Sequence, residues 1–390
     1  GLGWTKFRLD AGNNLLAIKT FSATPRSEWR WSQLDNLAWT FGTDSRLFLT
    51  KADVLLPNDY APGGVFNPLA AADEVSVNVL RFNFDLGFYS TMAWSPKNSK
   101  WTFTPGVRFD YFNATKDAFV DPRMAVAYDI DSSFRLRAQG GLYHQPPEPR
   151  ETNDDVGNPN LSTPSAWHLS FIGDKDFRGG STTGFSVSSG PFFRWFDDLV
   201  TRSNAFVVKN GELVPEFYNS STKGFAYGGE ASIKYVSSKY ELALAYMILN
   251  STRTEPGIGE YQSPFDQTHN LNVIAGVNLG NNWRVSSRVR YVTGNPYTPV
   301  VSSTFDADNG VYIPNRGAFY SERVGGFFQW DIRLDKKWIY NRWILSLYLD
   351  IQNATNRKNP ESIEYSYDYQ QLVTTNGLPI LPALGLKGEF

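Results

Sequence analysis

The residues best equipped for chemistry in this chain are charged, and they fall on one side of alternating segments. Arg108, Arg135, Arg137, Arg284, Arg288, Arg290 and Arg333 share polar faces with Asp110, Glu230, Glu241, Asp331, Asp335 and Asp350. Guanidinium groups in such rows do one of two things. They line a path for an anionic substrate, or they pair with acids along the water-facing inner wall of a large β-barrel, where charges of both signs occur. The accompanying acids favour the paired wall. Tyrosines form the second group. Tyr312 and Tyr320 lie in the stretch 295–325, and Tyr365, Tyr367 and Tyr369 lie near the end. Such rings either grip a ligand or pack loops together, and the sequence supports both readings equally.

Other chemistry is thinly represented. His144, His168 and His269 are far apart and lack metal-ligand spacing, so they read as rim or structural residues. The pairs Gly140-Gly141 and Gly228-Gly229 sit within strands rather than at strand-to-helix turns, which suits bends or tight packing and not a phosphate cradle. No Ser/His/Asp order stands out, so no enzyme activity, metal or cofactor is expected. The chain has 0 Cys, which excludes disulfides and thiolate sites. A net charge of −2 argues against a nucleic-acid partner.

The elements that hold these residues are strands of period 2. Trp101, Phe103, Val107, Phe109 and Tyr111 oppose Thr102, Thr104, Arg108 and Asp110. Phe134, Leu136, Ala138 and Leu142 oppose Arg135, Arg137 and Gln139. Tyr240 to Ile248 and Leu271 to Leu279 carry further apolar faces. Val285, Val289 and Tyr291 oppose Arg284, Ser286, Arg288 and Arg290. Leu345, Leu347, Leu349 and Ile351 oppose Ser346, Tyr348, Asp350 and Gln352, and the chain closes on Leu384, Leu386, Gly388 and Phe390 against Gly385, Lys387 and Glu389. Aromatic residues make up 15% of the chain, and Trp101, Trp283, Tyr291 and Trp343 stand at the ends of apolar faces, as in interfacial girdles. There is no run of 18 apolar residues to suggest a membrane helix.

Connections alternate in length. Short turns are predicted at 11–13, 42–45, 96–99, 131–133, 175–182, 237–239, 280–282 and 340–342. Long stretches are predicted at 20–28, 53–74, 114–121, 144–164, 198–223, 252–266, 295–325 and 355–380. This order is that of an outer-membrane barrel with short periplasmic turns and long extracellular loops. The fold expected is all-β, an antiparallel transmembrane β-barrel of about 17 strands over residues 1–390, in the bacterial outer membrane with the lipid bilayer as its solvent. Segment 75–95 changes apolar phase from Val75, Val77 and Val79 to Leu80, Phe82, Phe84, Leu86 and Phe88, which predicts a bulge or two elements.

Several segments resemble the C-terminal half of TonB-dependent outer-membrane receptors. They are Phe265-Asp-Gln-Thr-His269-Asn-Leu-Asn, Asn282-Trp-Arg, Arg290-Tyr-Val-Thr-Gly-Asn-Pro-Tyr-Thr-Pro299, Gly141-Leu-Tyr-His-Gln-Pro-Pro147 leading to Asn158-Pro-Asn-Leu161, Lys223-Gly-Phe-Ala-Tyr-Gly-Gly-Glu230, Asp350-Ile-Gln-Asn-Ala-Thr-Asn356 and Leu384 to Phe390. The resemblance implies a 22-stranded barrel with an N-terminal plug domain, energised by an inner-membrane complex. Its substrate would be a scarce small molecule, glycan or peptide, caught by loops and passed through the lumen. The strands begin at once here, and the odd strand count cannot close antiparallel. The chain therefore reads as the C-terminal portion of such a barrel, with plug and first strands lying upstream. A non-transporting scaffold and a passive porin are the alternatives.

Overall fold

The computed structural model describes residues 1–11, 14–57, 74–154, 157–203, 205–209, 211–308 and 310–390. Much of the predicted stretch 53–74 thus lies outside the described residues. One antiparallel sheet of nineteen segments organises the chain. Two pairs of segments are halves of single paths, and Gly259–Gln262 is an arm within a loop, which leaves sixteen wall strands. They are β1 (Leu2–Ala11), β2 (Asn14–Ala23 continuing as Arg26–Leu34), β3 (Leu37–Asp44 continuing as Arg46–Pro57), β4 (Glu74–Trp94), β5 (Trp101–Phe112), β6 (Asp117–Asp131), β7 (Phe134–His144) and β8 (Ser165–Asp176). There follow β9 (Gly184–Arg202), β10 (Tyr218–Val236), β11 (Tyr240–Glu255), β12 (His269–Gly280), β13 (Trp283–Val292), β14 (Phe327–Ile339), β15 (Ile344–Gln352) and β16 (Leu381–Glu389). Each pairs with its neighbours in chain order.

Residues directly opposite one another share a face, so register sorts side chains. Asn272 faces Arg290, Arg288 faces Asp331, and Arg333 faces Asp350. One face of the sheet is therefore polar and charged. The other carries Val273 against Val289, Leu347 against Leu386 and Leu349 against Leu384. Along its short-turn rim Trp343 stacks between Tyr340 and Phe390, with ring centroids 4.8 and 6.2 Å away, and Lys336 lies 5.1 Å from the Trp283 ring and 5.7 Å from Trp338.

The hairpin turns follow local chemistry. At the β12–β13 turn Asn281 and Asn282 both have positive φ, 48° and 59°, and follow Gly280 at 91°. Two consecutive left-handed residues match the right-handed strand twist, and Asn tolerates that conformation.

The structure departs from expectation near the N-terminus. Residues 42–45 are not a turn and 20–28 are not a loop. Both lie within a long hairpin of β2 and β3 whose tip is the two-residue turn Asp35–Asn36. Its two strands break together, where the Ser45 amide donates to the Pro25 carbonyl at 3.1 Å. Of the predicted turn 11–13, residues 12 and 13 lie outside the described residues; the strand end that precedes it, Ala11, pairs with Asn14, and Leu16 pairs with both Leu9 and Val54. The expected bulge in 75–95 is not found: Glu74–Trp94 is one uninterrupted strand, and its register against β3 is the same on both sides of the gap at Ser45, from Thr43↔Phe88 to Arg46↔Asp85. Sixteen is within one of the expected count, but it is even, so the parity argument for upstream strands does not hold.

Candidate functional site: an aromatic cleft over the charged face

The charged face resolves into ion pairs. Arg108 Nε lies 2.7 Å from Asp110, Arg135 2.5 Å from Asp129, and Arg137 2.6 Å from Asp174. Arg284 lies 2.8 Å from Glu241, Arg288 2.6 Å from Asp331, and Arg333 2.8 Å from Asp335. Glu230 stands exposed on the same face, opposite Gly190, and Asp350 lies opposite Arg333. The predicted arginines are thus spread along the wall and neutralised locally. A continuous cationic path is not what they build.

Arg290 differs. It makes no ion pair among the described residues and sits at the loop end of β13, 5.3 Å from the Phe327 ring. There it joins a cleft of about 870 Å³. Three loops build the cleft, those of 256–268, 293–326 and 353–380. Its walls include Phe265, Gln267, Asn295, Tyr297, Glu361, Glu364, Tyr365, Tyr367 and Tyr369. Of the predicted loop tyrosines, Tyr365 and Tyr367 line it. Tyr312 backs Tyr367 edge-on at 5.6 Å, and Tyr320 is placed elsewhere, stacked on Tyr261 at 5.6 Å. Tyr297, Glu361 and Glu364 were not singled out from the sequence. Tyr297 lies inside the Arg290–Pro299 segment, which was the available signal. The two glutamates had none, because they come from a loop hairpin, Pro360–Tyr365 with Leu372–Asn376, whose fold is needed to place them.

Two motif residues, Asp266 and Asn353, hold these loops. Asp266, 1% exposed, accepts from the Ser251 amide at 3.1 Å and is ion-paired with Arg323, whose Nη1 also reaches the Gly294 carbonyl at 3.2 Å. Asn353, 3% exposed with φ of 50°, donates to the carbonyls of Arg357 at 2.9 Å and Leu378 at 3.2 Å, closing the root of the last loop. The Val300 amide donates to the Tyr365 hydroxyl at 3.1 Å, and the Tyr367 hydroxyl donates to the Gly310 carbonyl at 2.6 Å. The cleft is thereby preorganised. Burial raises the phenol pKa of both Tyr297 and Tyr369, so they remain hydrogen-bond donors at neutral pH.

The histidines play structural parts. His144 Nδ1 lies 2.7 Å from Asp121 and its ring stacks on Phe119; His269 Nδ1 lies 2.8 Å from the Tyr246 hydroxyl. Among the described residues no group of three or more His, Asp or Glu side chains is placed to hold a metal ion.

An antiparallel sheet with an ion-paired polar face, an apolar face edged by Trp and Tyr, and long loops at one end defines a β-barrel of the bacterial outer membrane. Residues 1–354 match the family model described as TonB dependent receptor-like, beta-barrel, and the chain belongs to that family. No curated protein matches it in sequence. Among solved structures it is similar to the FrpB iron transporter from Neisseria meningitidis (F3-3 variant), with 14% identity and a TM-score of 0.64, covering 96% of this chain and 55% of that one. It is similar as well to the outer membrane transporter YddB from Escherichia coli (13% identity, TM-score 0.62, 96% and 54% covered). The ferric yersiniabactin uptake receptor FyuA from Yersinia pestis is a third (13%, 0.62, 98% and 56%). The chain thus spans little more than half the length of these proteins.

Proposed function

We propose that this chain forms the wall and ligand-receiving loops of an outer-membrane receptor that imports a scarce small molecule. The charged face lines the lumen, and the loops from 293 and 353 are extracellular. A plug domain and an energy-transducing inner-membrane complex are its partners. The observation that carries the reading is the cleft. A volume of about 870 Å³ is that of a small-ligand site. It opens where Arg290, the one candidate lumen arginine without an acid partner among the described residues, meets Tyr365 and Tyr367. The wall beneath it is neutralised pairwise, which suits passage of a released ligand without trapping charge.

The test compares depletion of compounds from the culture medium, read by mass spectrometry, in cells with and without the full receptor. The expected result is depletion that requires both the receptor and the energising complex. Depletion independent of that complex would make the protein a passive pore. No receptor-dependent depletion at all would make it a scaffold.

A further inference from the structure

The cleft's chemistry discriminates among ligand classes. Among the described residues its lining holds one basic residue, Arg290, whose guanidinium already lies against the Phe327 ring, and two acidic ones, Glu361 and Glu364. Glu364 is fixed by the Thr375 hydroxyl at 3.2 Å. An anionic ligand such as a ferric chelate would meet two like charges for each opposite one. A strongly cationic ligand would meet Arg290 at the floor. A neutral ligand meets neither penalty.

The remaining lining specifies what kind of neutral ligand. Tyr365 and Tyr369 present rings 6.1 Å apart, with Tyr367 and Tyr297 in the same walls. Flat rings offer broad apolar contact at low entropy cost and keep a polar tip. Between them lie groups that trade hydrogen bonds with hydroxyls. Carboxylates accept only, and Gln267 and Asn295 both accept and donate. These two amides are already aligned, Gln267 Nε2 donating to Asn295 Oδ1 at 3.1 Å. Alternating ring faces and hydroxyl partners complement a molecule whose own surface alternates C–H faces and hydroxyl edges.

We infer that the cleft binds a neutral polyhydroxylated ligand, a saccharide chain, rather than an anionic metal chelate. This rests on the cleft being the receptor's ligand site, as proposed above.

The test uses the full receptor purified in a detergent without a sugar headgroup, titrated calorimetrically with maltohexaose, cellohexaose, xylohexaose, ferric citrate and hexalysine. Saturable binding of at least one hexaose is expected. Replacing both rings, Tyr365→Ala with Tyr367→Ala, should weaken it roughly tenfold or more. Tyr365→Phe with Tyr367→Phe keeps the rings but gives up the hydroxyl contacts to the Val300 amide and the Gly310 carbonyl, so it should bind more weakly than the parent and more tightly than the Ala pair; a Phe pair as weak as the Ala pair would overturn stacking on these rings. Ferric citrate or hexalysine binding that the Ala pair abolishes would keep the cleft as the site and overturn the saccharide class. Hexaose binding that the Ala pair leaves untouched would overturn the cleft itself. No hexaose binding at millimolar concentration would overturn the inference.

Discussion

At the residue scale, two kinds of ion pair occur and differ in what they hold. Arg137 and Asp174 are 40% and 34% exposed, and such a pair contributes less than about 1 kcal/mol. Asp266 is 1% exposed, and its partner Arg323 ties two loops together. Removing one member of a buried pair leaves an uncompensated charge and costs roughly 3–5 kcal/mol. Arg323→Met should therefore destabilise the loop end far more than Arg137→Met destabilises the wall, measured by denaturant unfolding in lipid vesicles. Equal losses would show that the loop latch carries nothing special. Long side chains also cross intervening strands where glycine leaves room. Arg284 reaches Glu241 over Gly276, whose added Cβ would lie 2.5 Å from Arg284 Nη2, and Tyr89 donates to Glu28 at 2.7 Å across Gly42. Gly276→Val should displace the guanidinium and cost about 1–3 kcal/mol through overpacking. A Gly276→Val protein as stable as the parent would contradict the crossing.

At the element scale, period-2 alternation made β5, β7, β12, β13 and β15 legible, because one face meets lipid and the other water. The β2–β3 hairpin was misread for a definite reason. Ser22-Ala-Thr-Pro-Arg-Ser27 and Gly42-Thr-Asp-Ser45 are strong turn signals, yet they lie opposite each other in a paired strand break. Local chemistry cannot tell a shared kink from a chain reversal. The cleft was legible only as far as its members lie in single segments: Arg290 and the run Tyr365, Tyr367 and Tyr369 stood out, whereas Glu361 and Glu364 depend on loops meeting in space. The faces themselves can be tested. Leu349 pairs with Leu334 and Leu384 on the apolar face, deeper than Leu347, which neighbours Lys336 at the turn end. Leu349→Arg should impair insertion, costing roughly 2–4 kcal/mol at mid-depth, while Gln352→Glu on the opposite face should assemble normally. Equal yields would reverse or void the assignment. External protease on intact cells should nick the tip of the hairpin Val300–Asp306 with Val311–Arg316 and spare Asn281–Asn282; the opposite pattern would invert the topology.

At the scale of the whole molecule, the pairings among the described residues leave β1 and β16 as the outermost strands of the sheet. β1 pairs with β2, and β16 pairs with β15; no pairing of β1 with β16 occurs among the described residues. Both edges carry exposed apolar side chains, Trp4 at 68% and Leu386 at 70%. In hydrocarbon each unpaired backbone group costs several kcal/mol, so bare edges of this length are untenable. We propose that further wall strands bridge β1 and β16 in the membrane. This chain carries no cysteine, so pairs introduced into it report on their own positions once any cysteine elsewhere in the receptor is replaced. Paired cysteines at Lys6 and Lys19, which face each other across β1 and β2, should cross-link under mild oxidation in the full receptor and serve as the reference. Cysteines placed in turn at Trp4, Lys6 and Phe7 against Leu384, Leu386 and Gly388 should not cross-link, because intervening strands at about 4.8 Å spacing put them out of reach. A cross-link between any of these positions would mean that β1 and β16 are neighbours, that sixteen strands close the barrel by themselves, and that the bridging strands do not exist.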